Sequence, residues 1–315
     1  MRSDLRKARP FTIPCATLAF PLFPSAMLTF AMLTLAMLAL AMMLPSHAAT
    51  RDENSRNNET SQQLPAAARW LRRVRADRYI TPDPAWTRMF TGAVQAGVAG
   101  DDDTWHTLGF ETRRSAGVLW LRETTPATGH GAYALRDSGT LLLQAPHADT
   151  DLGTGQIALR LFEETDAAAL ALNNVRRDIA PGADQAHSPA GPFVAMATAL
   201  VKAALVKQKE TMRVVQLHGF SSETAERLAL SAETIVVGGG SSEHNAKLAA
   251  CLREQGIPAQ ATGPGTRELA GRGNAVGAAL QSLGKGRFVH LELGPGQRER
   301  MLRDSEARRK LSKCL

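Results

Sequence analysis

The chain has 315 residues, 44% hydrophobic, 21% charged and 5% aromatic, which is too apolar for a disordered polymer and long enough for one large domain or two small ones. Its formal charge of +7 suggests a nucleic acid or an anionic surface only until the charges are placed. Residues 49–295 hold 26 Lys and Arg against 26 Asp and Glu, so the excess sits at the two ends and no nucleic-acid partner is expected.

Arg2, Arg6, Lys7 and Arg9 precede an apolar stretch whose centre, residues 27–44, is uncharged. It stops at Pro45-Ser46-His47-Ala48-Ala49, small residues that suit a signal-peptidase cut after Ala48. Residues 1–48 are therefore read as an export signal, which places the rest in the periplasm or outside the cell. The alternative is an uncleaved anchor, since residues 27–44 just reach spanning length; membrane contact would then run through this segment alone. Met27 is a second candidate start. Residues 49–64 are polar and aperiodic, a flexible linker.

Beyond the linker, residues 84–97 read as a helix, and 118–122, 132–136 and 140–145 as strands between Gly-containing turns. A regular order follows: helix 155–164, strand 168–172, helix 192–208, strands 213–217 and 234–237, helices 242–255 and 275–283, and strand 287–293. Short unbroken apolar strands between helices predict one α/β domain over 65–295, with a mixed, largely parallel sheet and helices on both faces. Residues 296–315, with seven bases and three acids, read as a solvated basic C-terminal helix. Of three cysteines, Cys15 lies in the export segment. Cys251 and Cys314 either bridge, as an oxidising compartment allows, or stay as two thiols.

In open α/β sheets, ligands gather at the carboxyl ends of strands, and three predicted ends carry suitable residues. Strand 140–145 breaks at Pro146 and delivers His147, Asp149 and Asp151 into a Gly-containing turn before a helix. Imidazole and carboxylate in one loop suit Zn²⁺; the alternative is that either Asp caps the helix and His147 is incidental. Strand 213–217 ends in His218-Gly219. In Val289-His290-Leu291-Glu292-Leu293 the alternation puts His290 and Glu292 on one face. A carboxylate in so apolar a strand needs a partner, and beside a metal it could act as general base. After strand 168–172, Asn173, Arg176 and Arg177 could clamp a substrate carboxylate, Arg with two parallel bonds, or form a surface ion-pair loop. Asp184 could orient His187 towards the site. Arg298 is a further carboxylate anchor or the first residue of the tail helix. Gly238-Gly239-Gly240 lacks the dinucleotide and P-loop fingerprints and reads as a tight turn.

Ala145-Pro146-His147 followed by Asp151-Leu152-Gly153-Thr154 resembles the Pro-His-Gly-Gly…Glu-x-Gly-Thr segment of poly-γ-glutamate hydrolase-like proteins. These are relatives of zinc carboxypeptidases and N-formylglutamate amidohydrolases with a phosphorylase/hydrolase-type α/β fold. Leu217-His218-Gly219 matches their second signature and Leu291-Glu292-Leu293 their late-strand Glu. The resemblance, over about residues 130–298, implies zinc held by His147, Asp151 and His218, with Glu292 activating the water and protonating the leaving nitrogen. Its acidic ligand here is Asp rather than Glu and stands one residue closer to His147, so Asp149 is the alternative ligand. The implied protein is an exported zinc-dependent hydrolase of peptide, γ-glutamyl or N-acyl amino acid bonds, with a small-molecule or peptide substrate bearing a carboxylate. The alternative is a non-catalytic exported binding protein that keeps the hydrolase fold.

Overall fold

Strands form where the sequence concentrates short apolar runs. The computed structural model describes residues 66–206, 211–284 and 287–315; the expected export signal 1–48, the expected linker 49–64 and Cys15 lie outside them. The strands are β1 (Phe110–Ser115), β2 (Val118–Glu123), β3 (Ala132–Arg136), β4 (Leu141–Ala145), β5 (Ala169–Leu172), β6 (Arg213–Gly219), β7 (Ile235–Gly238), β8 (Ala259–Ala261) and β9 (Arg287–Leu293). They join in one sheet in the order β1-β2-β3-β5-β4-β6-β9-β7-β8.

The sheet is mixed, and chain connectivity explains where each sense occurs. β1 and β2 are joined by the tight turn at 116–117 and β2 and β3 by the loop 124–131; both pairs are antiparallel, because connections this short can reverse the chain but cannot make a parallel crossover. Parallel pairing is confined to β5-β4-β6-β9 and to β7–β8; β3 and β7 join that block antiparallel. The sheet is mixed, as expected, with its parallel pairs in the centre and at the β7–β8 edge. β1 and β8, absent from the sequence reading, are the two edge strands, where one side is uncovered and no continuous apolar run is needed.

Helices cover both faces. Along the central strands the side chains alternate, so Leu143, Val215 and Val289 enter one core and Leu142, Val214 and Phe288 the other. The first core is closed by α1 (Ala66–Leu71), α4 (Thr154–Glu164), α7 (Ser242–Glu254), α9 (Pro295–Arg303) and α10 (Ser305–Ser312). The second is closed by α2 (Pro84–Ala96), α3 (Asp102–Thr107), α5 (Pro192–Val206) and α8 (Ala275–Ser282). A short helix, α6 (Ser222–Arg227), follows β6. Among the described residues, no helix is long and apolar enough to cross a membrane.

The C-terminal segment differs from the expected single solvated helix. It breaks at Asp304, whose backbone is extended and whose carboxylate caps α10 by accepting from the Glu306 N–H at 2.8 Å. Met301, Ala307 and Leu311 are fully buried in the first core. Arg308, also buried, donates to both oxygens of Glu164 on α4. The charges of this segment occupy one side of an otherwise apolar stripe, so the tail is part of the domain. A disulfide joins Cys251 on α7 to Cys314, with Cα atoms 5.8 Å apart.

On the second face the sheet changes character along the strands. The register sets Leu142 beside Val214 and Val214 beside Phe288, then Gln144 beside Gln216 and Gln216 beside His290, then His218 beside Glu292. An apolar row gives way to an amide and imidazole row and then to the reactive row. The polar end is the carboxyl end of the three adjacent parallel strands β4, β6 and β9.

Candidate metal centre

Three of the predicted side chains converge. His147 follows β4 past Pro146, His218 ends β6, and Asp151 sits in the turn before α4; all three are buried. His147 Nδ1 lies 3.3 Å from Asp151 Oδ2 and 3.2 Å from His218 Nδ1, and His218 Nδ1 lies 3.5 Å from the same Asp151 oxygen. The Asp151 carboxylate also accepts the Gly219 N–H at 3.1 Å. It does not cap α4, whose N-cap is Gly153 with no side-chain hydrogen bond. Asp149 points elsewhere, to Arg75 at 3.2 Å, so of the two acids only Asp151 reaches the imidazoles.

Each imidazole is held from behind. His147 Nε2 is 2.9 Å from Asp184 Oδ1, while Asp184 Oδ2 is 3.0 Å from His187 Nδ1. His218 Nε2 is 3.3 Å from Gln216 Oε1. These contacts set the electrostatics. Burial works against charge on His147, but hydrogen bonds and opposite charges from Asp151 and Asp184 outweigh it and raise its pKa to about 9. Both carboxylates resist protonation: burial raises their pKa values, yet the imidazoles pull them well below the usual range. His218 moves the other way, to about 3, because it is buried and stands beside His290 and His147.

Glu292 reaches the same pocket. Its Oε1 is 3.1 Å from His290 Nε2, and the carboxylate is largely buried, with 13% of the side chain exposed. His290 packs against His218 with ring centroids 4.3 Å apart and the planes tilted by 33°, and its Nδ1 is buried with no hydrogen-bond partner. Gly271 makes room for it: at φ +65° a Cβ there would meet the His290 ring at 2.7 Å. His147, Asp151 and His218 form one set of ligand atoms close enough to share an ion, and His218, His290 and Glu292 form another.

The expected substrate residues divide. Arg177 extends over the site, with Nη1 3.2 Å from His147 Nδ1. It lines a cavity of about 230 Å³ that also contains His147, Asp151, His187, His218 and Glu292. Arg298 borders an adjoining cavity of about 420 Å³ with Asp151 and Glu292, but its Nη1 donates to the Phe220 and Leu293 carbonyls. That guanidinium lies where a Cβ on Gly219 would stand, 2.5 Å from Nη1. Two residues are not brought to the site. Asn173 is buried and spends its amide on the Pro146, Ala183 and Val175 backbone. Arg176 pairs with Asp178 in solvent. Asn173 therefore shapes the loop, and Arg176 forms the surface pair that was its alternative reading.

Sequence reasoning missed the residues behind the site. Asp184 was expected only on His187, and Gln144, Gln216 and Asn274 were not singled out for the site. A signal existed: Gln144 and Gln216 are amides inside otherwise apolar strands.

The architecture is thus an α/β sheet with a candidate metal centre at its strand ends. Residues 184–313 match the family model of poly-gamma-glutamate hydrolase, in agreement with the resemblance carried by the motifs. The match contains His218 and Glu292; His147 and Asp151 precede it. No curated protein matches the sequence. Similar solved structures include a bacteriophage poly-gamma-glutamate hydrolase, 19% identical over 57% of this chain and 84% of that one, with a TM-score of 0.33. An N-formylglutamate amidohydrolase from Ralstonia eutropha is 13% identical over 58% and 94%, with a TM-score of 0.35. A mutant tomato leucine aminopeptidase is 12% identical over 72% and 60%, with a TM-score of 0.34.

Proposed function

We propose that the protein is an exported, zinc-dependent hydrolase of amide bonds in peptides, γ-glutamyl chains or N-acyl amino acids. The family match supports the hydrolase class. One observation carries the metal: His147 Nδ1, Asp151 Oδ2 and His218 Nδ1 stand 3.2 to 3.5 Å apart. Donors about 2.0–2.1 Å from a tetrahedral zinc ion are separated by about 3.3 Å, so the three atoms fit three corners of such a site. When bound, zinc would supply Lewis acidity to the scissile carbonyl and bring the pKa of a water towards ~7.

This chain's own residues do the rest. Glu292 takes a proton from the attacking water and returns it to the leaving nitrogen. His290 holds one oxygen of that carboxylate. Arg177 offers the guanidinium on the His147 side of the cavity, suited to a substrate carboxylate. The Cys251–Cys314 bridge supports an oxidising compartment and so an exported protein. The shorter acid at position 151 favours a binding protein without turnover. Its oxygen nonetheless approaches both imidazole nitrogens, so the shorter acid still completes the three-ligand set that catalysis needs.

Purification without chelator should give about one zinc per chain, lost in His147→Ala and in His218→Ala. Wild-type protein that stays metal-free when offered zinc would sink the proposal. Zinc occupancy with no turnover of γ-glutamyl, N-acyl or cell-wall peptides would select the binding protein instead. Asp184→Ala removes the acceptor behind His147 and should weaken zinc binding about 10–100-fold in chelator competition.

A further inference from the structure

Behind the metal centre lies a line of buried amides that the proposed chemistry does not touch. Gln144, Gln216, Asn274 and His218 are all buried, so their hydrogen-bonding groups must find partners within the protein. The register of β4 and β6 sets Gln144 directly beside Gln216.

The direction of each bond follows from fixed groups at the two ends of the line. At one end, the Gln144 side chain meets the Phe193 backbone carbonyl, with Nε2 to O 3.1 Å. A carbonyl can only accept, so the amino group of Gln144 must face it and Oε1 must face Gln216. Gln216 accordingly donates Nε2 to Gln144 Oε1 at 2.8 Å and turns its own Oε1 away. At the other end, Asn274 caps α8, its Oδ1 accepting from the Val276 and Gly277 N–H groups at 3.1 and 3.3 Å. Only its amino group is left, and Nδ2 lies 2.6 Å from Gln216 Oε1. Two independent constraints, a backbone carbonyl and a helix terminus, thus orient one amide the same way.

His218 Nε2 lies 3.3 Å from that Gln216 oxygen. An oxygen already oriented as acceptor requires a hydrogen on Nε2. A neutral imidazole carries one ring hydrogen, so Nδ1 is bare. Nδ1 faces His147 Nδ1 at 3.2 Å and the Asp151 carboxylate at 3.5 Å; Asp151 is the more distant of the two acceptor oxygens, so the single hydrogen goes to Nε2 and the nearer Gln216 oxygen.

We propose that Gln144, Gln216 and Asn274 form an orienting relay that holds His218 as its Nε2–H tautomer, with Gln216 as the positioning residue. The use of the bare Nδ1 as a zinc ligand rests on the function proposed above. The tautomer itself does not. His147 is set by the carboxylate of Asp184, whereas His218 is set by neutral amides. The relay thus orients the second imidazole without adding a charge to the site.

The test is a long-range ¹H–¹⁵N correlation spectrum of the metal-free full chain labelled in histidine, near neutral pH. A His218 signal pattern of hydrogen on Nε2 is expected; hydrogen on Nδ1, or an even mixture, overturns the relay. Gln216→Leu should erase the Nε2–H preference and weaken Zn²⁺ binding about 10–100-fold. Gln216→Glu, which restores the acceptor for Nε2 but not the donor that Gln144 Oε1 takes from Gln216, should recover the Nε2–H preference. Unchanged tautomer and affinity in Gln216→Leu would overturn the proposal. If Gln216→Leu does not fold, the wild-type spectrum alone decides. A wild type that binds no Zn²⁺ overturns the metal reading, while the spectrum still decides the relay.

Discussion

Glu292→Gln is expected to cut amide hydrolysis about a hundred- to ten-thousandfold while zinc content stays at the wild-type level. The substitution is close to isosteric and keeps a polar group beside His290 Nε2, 3.1 Å away in the wild type. What it removes is the ability to hold a proton. The residue is placed by strand β9, opposite His218 in the register, so the backbone that presents it does not depend on its charge. The loss should fall on kcat, because Glu292 is not among the cations proposed to bind substrate. Two results would change the assignment. Retained activity removes Glu292 from the general-base role. Loss of zinc makes it a ligand through the second set of donor atoms, His218, His290 and Glu292.

The reactive residues were legible because they sit where the chain changes phase. His147, His218 and Glu292 each lie at the carboxyl end of an apolar strand, and adjacent parallel strands necessarily deliver those ends to one edge of the sheet. Asp151 was legible as one of two acids, but its separation from Asp149 needed the turn geometry and Arg75, 74 positions earlier. Asn173 misled because an Asn after a strand looks identical whether its amide faces a substrate or closes its own loop. Asp184 was linked only to its sequence neighbour His187; its contact with His147 spans 37 positions. The amide relay follows the same rule. Its members come from β4, β6 and the start of α8, and only the sheet register makes them neighbours.

Replacing Cys251 and Cys314 together by Ser should lower stability by about 4 kcal/mol, close to a thousandfold in the folding equilibrium. The bridge spans 63 positions, and an open chain must lose the corresponding loop entropy when it folds. The effect should appear as a lower denaturant midpoint with a somewhat steeper slope, because the unfolded chain without the crosslink is more expanded and exposes more surface. Reduction of the wild type should reproduce it. Equal midpoints for oxidised and reduced protein would overturn the prediction. The site should survive in conditions where the variant is folded, since α9 and α10 are also held by Met301, Leu311 and the Arg308–Glu164 pair. Arg308–Glu164 closes on α4, the helix that begins just after Asp151. The segment carrying the chain's C-terminal positive charge is thereby tied to the element that leads out of the candidate metal centre.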